Sequence, residues 1–150
     1  MRVFADIHEF AAAAGTSLGT TEWFDINQGR IDTFADATGD HQWIHTDPER
    51  AAHGPFGSTI AHGLLTLSLL PVLNHELYRL EKLSMAVNYG FDKVRFISPV
   101  PVGTRVRATT LIDSVTEVSG GIQAKFVTTI EIEGAAKPAC VAESIARFVA

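Results

Sequence analysis

The most apolar run of the chain reads Ile60-Ala-His-Gly-Leu-Leu-Thr-Leu-Ser-Leu-Leu-Pro-Val-Leu-Asn-His75. Its apolar side chains fall on nearly all sides of a helical wheel, which is typical of a helix buried on most of its surface. Ser58 or Thr59 is suited to cap the start of this helix, and Pro71 predicts a kink inside it. Because the run is too short to cross a bilayer and contains a glycine and a proline, it indicates a buried helix of a soluble protein.

The residues after Ser84 have the alternating pattern of β-strands. Apolar and polar side chains alternate through Arg105–Val118 and Ile122–Glu133, and a further strand, Cys140–Val149, closes the chain. Because short turns that contain glycine separate these segments, they are expected to form an antiparallel meander. A long sheet beside one apolar helix predicts an α+β fold in which the sheet curves around the helix.

The first half of the chain is predicted to be helical and rich in loops. The expected elements are a helix over Phe4–Ala14, a short strand over Thr20–Phe24 and a helix that begins after Asn27 and stops at Gly39. The stretch Asp40–Gly57 is expected to be irregular, apart from one helical turn that Pro48 opens. No repeat or linker interrupts the pattern, so residues 1–150 are interpreted as one domain.

Charge and composition exclude several classes of protein. The 150 residues carry a net charge of −5, which provides no basic surface for nucleic acid. Cys140 is the only cysteine, so the sequence offers neither an internal disulfide nor a cysteine-based metal cluster. Charged residues near the N-terminus interrupt any apolar signal segment, and no contact with a membrane is expected, so a cytoplasmic location is predicted.

Asp40 and His45 are the residues with the most evident chemistry. The carboxylate precedes the imidazole by five residues across a predicted helix end, so a loop can turn both side chains toward one point. Such a pair can orient a water molecule and accept its proton, and general acid–base assistance of this type is worth roughly 10²–10⁴-fold in rate. Aspartate and histidine are also common in turns, where they cap backbone groups, and spacing alone does not separate these interpretations.

Gly63 is the second candidate for a functional role. A glycine near the start of a buried helix leaves its backbone N–H accessible, and the helix dipole adds positive potential there. This N–H is suited to hold a carbonyl oxygen on which negative charge develops. The alternative interpretation is a glycine required for close packing between helix and sheet.

Ordered motifs carry a resemblance to a known family. They are Thr38-Gly39-Asp40, Ile44-His45-Thr46-Asp47-Pro48 and Ala61-His62-Gly63-Leu64, and the stretches Asn88–Phe96 and Pro99–Gly103 add to them. Together they resemble the hydratase motif, and the strand and turn after it, of MaoC-like, (R)-specific enoyl-CoA hydratases. The resemblance extends over about residues 15–149, nearly the whole chain.

The resemblance implies a hot-dog fold, in which an antiparallel sheet wraps around a long central helix, and a homodimer. It also implies an acyl-CoA thioester substrate with no metal and no cofactor, because coenzyme A is part of the substrate. By position, Asp40 and His45 would activate the water, and the Gly63 N–H would polarise the thioester carbonyl. The implied reaction adds water to a trans-2-enoyl thioester and gives the (R)-3-hydroxy product.

One departure from the family pattern lies between the paired residues. Gln42 and Trp43 stand where many of these hydratases carry Asn-Pro, a feature that resembles the NodN-like branch. An amide is retained, but the rigid turn of the proline is lost and the indole is expected to narrow the pocket. Gln42, Trp43, His62 and Gly90 are therefore candidates for contacts with the substrate, while the preferred acyl chain length stays open.

Three rival interpretations are compatible with the sequence. His45-Thr46-Asp47, completed by a later histidine, matches a two-histidine, one-carboxylate iron site. The same fold also hosts acyl-CoA thioesterases, which activate water beside a thioester. A non-catalytic module that binds acyl thioesters would keep an apolar tunnel without needing Asp40 or His45.

Overall fold

The computed structural model describes residues 1–150. In chain order its elements are β1 (Arg2–Phe4), α1 (Ile7–Ala12), β2 (Ser17–Thr20), β3 (Phe24–Ile26), α2 (Gln28–Thr38), α3 (Trp43–Thr46), α4 (Pro48–Ala52), α5 (Gly63–Ser68), α6 (Leu70–Leu77), β4 (Tyr78–Leu80), β5 (Met85–Phe96), β6 (Thr104–Val118), β7 (Gly121–Ile132) and β8 (Cys140–Val149). The four long strands, β5 to β8, all follow Ser84, which confirms the boundary predicted from the change in hydrophobic period.

One antiparallel sheet dominates the fold. Its strand order is β2-β6-β7-β8-β5, and β3 also pairs with β6. The predicted meander is confirmed, because β6, β7 and β8 are neighbours in chain order. Along β7 buried and half-buried residues alternate without interruption, since successive side chains of a strand point to opposite faces. The buried face curves around α5 and α6, which confirms the predicted α+β class and hot-dog fold.

The central helix begins later than predicted. Helix α5 starts at Gly63 rather than at Ile60. Ile60 instead forms an isolated antiparallel bridge to Pro101, and the N–H of Ala61 donates to the Val100 carbonyl at 2.8 Å. These contacts hold the segment before Gly63 in an extended conformation, and a helical period in the sequence does not reveal them.

The capping and the continuity of this helix also differ from expectation. His62 occupies the N-cap of α5, so the predicted caps Ser58 and Thr59 lie outside the helix. The run is divided at Leu69 into α5 and α6, and Pro71 lies in the first turn of α6. The predicted kink is thus a break two residues before the proline. None of the helices combines the length and apolar character needed to span a membrane.

The N-terminal elements are shorter than predicted. Helix α1 is confined to Ile7–Ala12, because Phe4 belongs to β1, which pairs in parallel with β4. The single strand expected over Thr20–Phe24 is replaced by β2 and β3, which both pair with β6. The predicted cap of α2 is confirmed: the Asn27 Oδ1 accepts a hydrogen bond from the Arg30 N–H at 2.8 Å.

The core consists of two clusters of buried side chains. The site-side cluster packs α2, α5 and α6 against the sheet and includes Ile31, Leu65, Leu73, Val106 and Ile130. The aromatic cluster joins α1 and β1 to the opposite half of the same long strands, and its rings are those of Phe4, Phe10, Tyr78, Phe126 and Phe148. In this second cluster the rings meet mostly edge to face, which is a preferred geometry for aromatic pairs.

Strand β5 forms one edge of the sheet, because β8 is its only partner. Nearly all of its 12 residues are exposed. The exposed residues include large apolar side chains, namely Met85, Val87, Tyr89, Phe91 and Phe96. An exposed, long and apolar edge is a surface on which another strand can pair.

Candidate active site

Asp40 follows directly after the end of α2. Gly39 ends that helix with a φ of 80°, and its N–H donates to the Ala35 carbonyl at 2.8 Å. This left-handed end favours glycine and turns the chain sharply. The side chain of Asp40 is exposed, and its Oδ1 accepts only a long hydrogen bond, 3.4 Å, from the Gln42 N–H. Local backbone therefore leaves most of the carboxylate available to other partners.

His45 lies in the short helix α3 and is only 7% exposed. Its Nδ1 lies 2.7 Å from the carbonyl oxygen of Ile60. Because a carbonyl oxygen can only accept a hydrogen bond, Nδ1 carries a proton, and Nε2 keeps a lone pair when the ring is neutral. The contact with Ile60 thus selects Nε2 as the nitrogen that can accept a proton.

Three side chains meet at this point. One carboxylate oxygen of Asp40 and one ring nitrogen of each of His45 and His62 lie within 4.8 Å of one another. The two imidazoles are stacked, with ring centroids 3.8 Å apart and planes inclined by 23°. The structure therefore places the predicted carboxylate and imidazole together, and it adds a second histidine to them.

The surroundings of His45 favour its neutral form. Burial lowers the pKa of His45 below its ordinary value of 6.5, and the neighbouring His62 lowers it further. The hydrogen bond to Ile60 and the charge of Asp40 raise the pKa, but the net direction is downward. His45 is consequently neutral near pH 7, when its Nε2 is able to act as a base.

The group formed by Asp40, His45 and His62 has the composition of an iron-binding triad, although it includes Asp40 instead of Asp47. Two imidazoles bind a single ion through lone pairs that lie in their ring planes, at about 2.0–2.1 Å in the case of zinc. Stacked rings direct these lone pairs side by side instead of toward a common point. The ring geometry therefore opposes the iron-site interpretation.

A cavity of about 310 Å³ lies beside His45 and Gly63. Its wall is mostly apolar and includes Ile60, Phe96 and Val100. Gly63 is the first residue of α5, so no preceding helical turn supplies an acceptor for its N–H, and it donates to no other backbone carbonyl. An unpaired donor and the imidazole of His45 thus border the same space.

Gly63 also allows a close approach of the edge strand. A Cβ atom at this position would lie 3.0 Å from the ring of Phe96, closer than ordinary contact allows. The packing interpretation of Gly63 and the interpretation that uses its N–H are therefore both compatible with the structure. The packing interpretation requires that residue 63 has no side chain. The other interpretation requires only that its backbone N–H is free to donate.

Two of the predicted substrate contacts lie at the site. Gln42 is exposed at the start of α3, and its N–H is the donor to Asp40. His62 touches both Asp40 and His45, but it is only 3% exposed. A side chain buried to this degree is poorly suited to direct contact with a substrate.

The other two predicted contacts lie away from the cavity. Trp43 packs toward α4, where its ring leaves no room for a Cβ atom at Gly54 and lies 4.3 Å from the guanidinium carbon of Arg50. Gly90 lies within β5, and neither it nor Trp43 lines the cavity beside His45. Their roles in substrate binding stay predictions.

Sequence reasoning missed Gln28 and Thr59. The Gln28 Nε2 donates to the carbonyl of His45 at 2.7 Å, and its Oε1 accepts from the buried Thr59 hydroxyl. These bonds fix the backbone of α3 against the start of α2. Gln28 also donates to Asp32 at 2.9 Å, but the two partners at the site lie 17 and 31 residues away in the chain, and only the fold brings them together.

The chain is similar to known proteins over most or all of its length. A family profile described as a MaoC-like domain matches residues 9–135. The chain is 58% identical to a Mycobacterium tuberculosis protein named 3-hydroxyacyl-thioester dehydratase Z, and the match covers 100% of both chains. It is 46% identical to nodulation protein N of Rhizobium meliloti, with 93% of this chain and 89% of that protein covered. The second match agrees with the resemblance to the NodN-like branch.

Solved structures show the same fold. A monoamine oxidase regulatory protein from Archaeoglobus superposes with a TM-score of 0.81 at 22% identity, covering 99% of this chain and 96% of that one. An (R)-hydratase from A. caviae involved in PHA biosynthesis superposes with a TM-score of 0.71 at 24% identity, covering 89% and 94%. At these identities the likeness concerns the fold alone. The profile match and the full-length relative together show that this chain belongs to the MaoC-like dehydratase family.

Proposed function

We propose that the protein adds water to trans-2-enoyl-CoA thioesters to give (R)-3-hydroxyacyl-CoA, and that it also catalyses the reverse dehydration. The main support is the Asp40 carboxylate within 4.8 Å of a ring nitrogen of His45. His45 of this pair lines a cavity that Gly63, whose N–H has no backbone partner, also lines. The relative named 3-hydroxyacyl-thioester dehydratase Z supports the same class of reaction.

In the hydration direction, Asp40 and His45 hold one water molecule between them. The water oxygen forms a bond to the β-carbon of the enoyl group while the pair takes up one proton from it. The electrons of the double bond move toward the α-carbon, which then receives a proton from the pair. One hydroxyl group and one hydrogen are added, and both side chains end in their starting protonation states.

Negative charge develops on the thioester oxygen while the β-carbon is attacked. The Gly63 N–H is the donor proposed to stabilise this charge, because it has no other backbone partner. A single donor of this kind, aimed at the developing charge, is worth about 3–4 kcal/mol in the transition state. The mostly apolar wall of the cavity lowers the local dielectric and so strengthens the interaction.

No metal and no separate cofactor take part in the proposed reaction, because coenzyme A is carried by the substrate. The stacking of His45 and His62 supports this view, since the planes of the two rings are inclined by only 23° and in-plane lone pairs of nearly parallel rings are poorly placed to share one ion. Incubation with a chelator should therefore leave turnover unchanged. Loss of activity with EDTA, restored by one particular divalent ion, would show that the site uses a metal.

The proposed assembly is a homodimer in which β5 of one subunit pairs with β5 of the other. The support is the long, apolar edge that β5 exposes in the single chain. Pairing of two such edges would give one continuous sheet and cover the exposed backbone donors and acceptors.

Hydration of crotonyl-CoA, followed as the loss of the enoyl-thioester absorbance, tests the catalytic pair. Asp40→Asn keeps the size of the side chain but removes a proton acceptor, so kcat should fall by at least about 10²-fold with KM largely unchanged. His45→Gln should have a similar effect. If the two residues act on one water as a unit, the double variant should be little slower than either single variant.

Matched controls use the same substitutions at exposed positions. Asp25→Asn on β3 and His53→Gln at the end of α4 should leave kcat within about two-fold of the wild type, because surface changes away from special contacts have small effects. A wild-type rate in Asp40→Asn, or losses that multiply in the double variant, would contradict the shared role. Release of free coenzyme A without hydration would instead identify a thioesterase.

A further inference from the structure

His62 has a polar side chain in an unusual setting. It is 3% exposed and occupies the N-cap of α5, yet its side chain makes no capping hydrogen bond to that helix. One neighbour of its ring is His45, with centroids 3.8 Å apart, and another is Phe34, at 4.9 Å. The imidazole is thus held between an aromatic ring and the proposed base.

The only hydrogen bond of the His62 side chain is with the backbone of Asp40. Its Nε2 lies 3.0 Å from the Asp40 carbonyl oxygen, and because a carbonyl can only accept, Nε2 carries the proton. The other two hydrogen bonds of Asp40, with Thr38 and Gln42, are both 3.4 Å long. The bond from His62 is therefore the shortest that holds Asp40, although it comes from another part of the chain.

The remaining nitrogen of His62 is unsatisfied. Its Nδ1 is buried and has no hydrogen-bond partner. A buried acceptor without a partner is unfavourable, and an apolar ring of the same shape would avoid this cost. An apolar ring could fill the same space as His62. Only the hydrogen bond from the His62 Nε2–H to Asp40 requires an imidazole rather than an apolar ring here.

We propose that His62 is a positioning residue that aligns Asp40 with His45, a role that rests on the proposed function. Its Nε2–H fixes the main chain of Asp40, and its ring fixes the plane of the His45 imidazole. The carboxylate and the imidazole are thereby held at the separation that lets both reach one water. His62 itself does not touch the substrate.

The short segment 60–63 gives this alignment a rigid support. Its first residue, Ile60, accepts the hydrogen bond from the His45 Nδ1, and its last, Gly63, carries the unpaired N–H beside the cavity. Backbone bonds tie the segment to its surroundings, from the Ile60 N–H to the Ile44 carbonyl at 3.0 Å and from the Ala61 N–H to the Val100 carbonyl at 2.8 Å. One tethered segment thus contacts all three groups of the proposed reaction.

Two substitutions separate the donor from the ring. His62→Phe keeps a ring for stacking and removes both the Nε2–H donor and the unsatisfied Nδ1, so the variant should unfold at the wild-type temperature or above it. Its kcat should nevertheless fall by about 10- to 100-fold with KM unchanged, because small displacements of reacting groups are costly. His62→Gln places an amide donor near the same point but loses the ring, so it should be less stable and yet recover most of kcat.

The decisive result is that His62→Phe is the more stable variant while His62→Gln has the higher kcat. If His62 had only a structural role, the less stable variant would also have the lower kcat. His8→Phe and His8→Gln, on the exposed face of α1, serve as matched controls and should change neither. In an Asp40→Asn background, His62→Phe should cause little further loss, since both changes act on the same carboxylate.

A readout without turnover is the backbone amide of His41, which belongs to the same peptide unit as the Asp40 carbonyl. Its NMR resonance should shift in His62→Phe and return toward the wild-type position in His62→Gln. A wild-type kcat in His62→Phe, or a His41 resonance that does not differ between His62→Phe and His62→Gln, contradicts the positioning role but leaves the proposed function intact. A wild-type protein that hydrates no enoyl-CoA overturns the proposed function, and the catalytic meaning of His62 with it.

Discussion

The imidazole of His45 is kept neutral by its burial and by His62, and this has a consequence for stability. Because the pKa of His45 is lowered in the folded state from 6.5, the unfolded chain takes up the proton first as the pH falls. The stabilisation of the folded state by neutral His45 is fully present above pH 6.5. It is lost as the pH falls through the pKa of His45 in the folded state. In that window the free energy of unfolding should decrease by up to about 1.4 kcal/mol per pH unit for one proton.

Urea denaturation of the wild type and of His45→Gln between pH 8 and pH 5, a range of roughly three units around the histidine pKa, measures this contribution. The difference between the two curves should grow in favour of the wild type as the pH rises. The hydration rate should also drop at low pH as His45 becomes charged and stops accepting a proton. Parallel stability curves for the two proteins would show that His45 is not responsible.

At the scale of a helix, the end of α2 determines the position of Asp40 relative to His45. Gly39 has a φ of 80°, and a Cβ atom there would meet nothing within 4 Å. Gly39→Ala therefore introduces backbone strain without a steric clash and should destabilise the protein by about 1–2 kcal/mol. It should also lower kcat, because the strain is relieved by moving Asp40.

Gly39→Asn provides the matched comparison, since asparagine tolerates the left-handed conformation better than alanine. It should retain more of both the stability, measured by thermal unfolding, and the hydration rate. If alanine and asparagine behave alike, the conformation of residue 39 does not control the position of Asp40.

The helices and strands were predicted best where one local signal was enough. The alternation in β6 and β7 and the cap at Asn27 depend on neighbours in sequence, and the structure agrees with them. The start of α5 was misplaced because Ile60 is held by Pro101, which lies 41 residues further along the chain (101 − 60 = 41). A helical period cannot report that contact, since tertiary pairing overrides local propensity.

The candidate site also contains residues that local motifs identified and residues that only the folded structure identified. The motifs made Asp40, His45 and Gly63 candidates, the family resemblance implied their roles, and the fold brings the first two together. The supporting bonds of Gln28 and of His62 link separate segments of the chain, so their partners follow only from the folded structure. Trp43 was expected to narrow the pocket because of the bulk of its indole, but its ring packs toward α4, against Gly54.

For the whole molecule, the exposed edge of β5 predicts the oligomeric state. Sedimentation velocity at micromolar concentration should show a homodimer. Val87→Lys places a charge on the edge strand, where two copies would bring like charges together, and should shift the protein toward the monomer. Val127→Lys, on the outward face of the central strand β7, is the matched control and should remain dimeric. A monomeric wild type would rule out the proposed pairing of edges.

Because the core is divided into two clusters, substitutions that raise the melting temperature can be made apart from those that change substrate specificity. The aromatic cluster occupies one half of the long strands, and the site-side cluster includes Ala61 and Val100, which border the cavity beside His45. Substitutions that are far apart and share no partners combine almost additively. Directed evolution of this chain can therefore first raise its melting temperature around Phe10, and the margin gained there lets the cavity accept disruptive changes toward a new substrate without loss of folding.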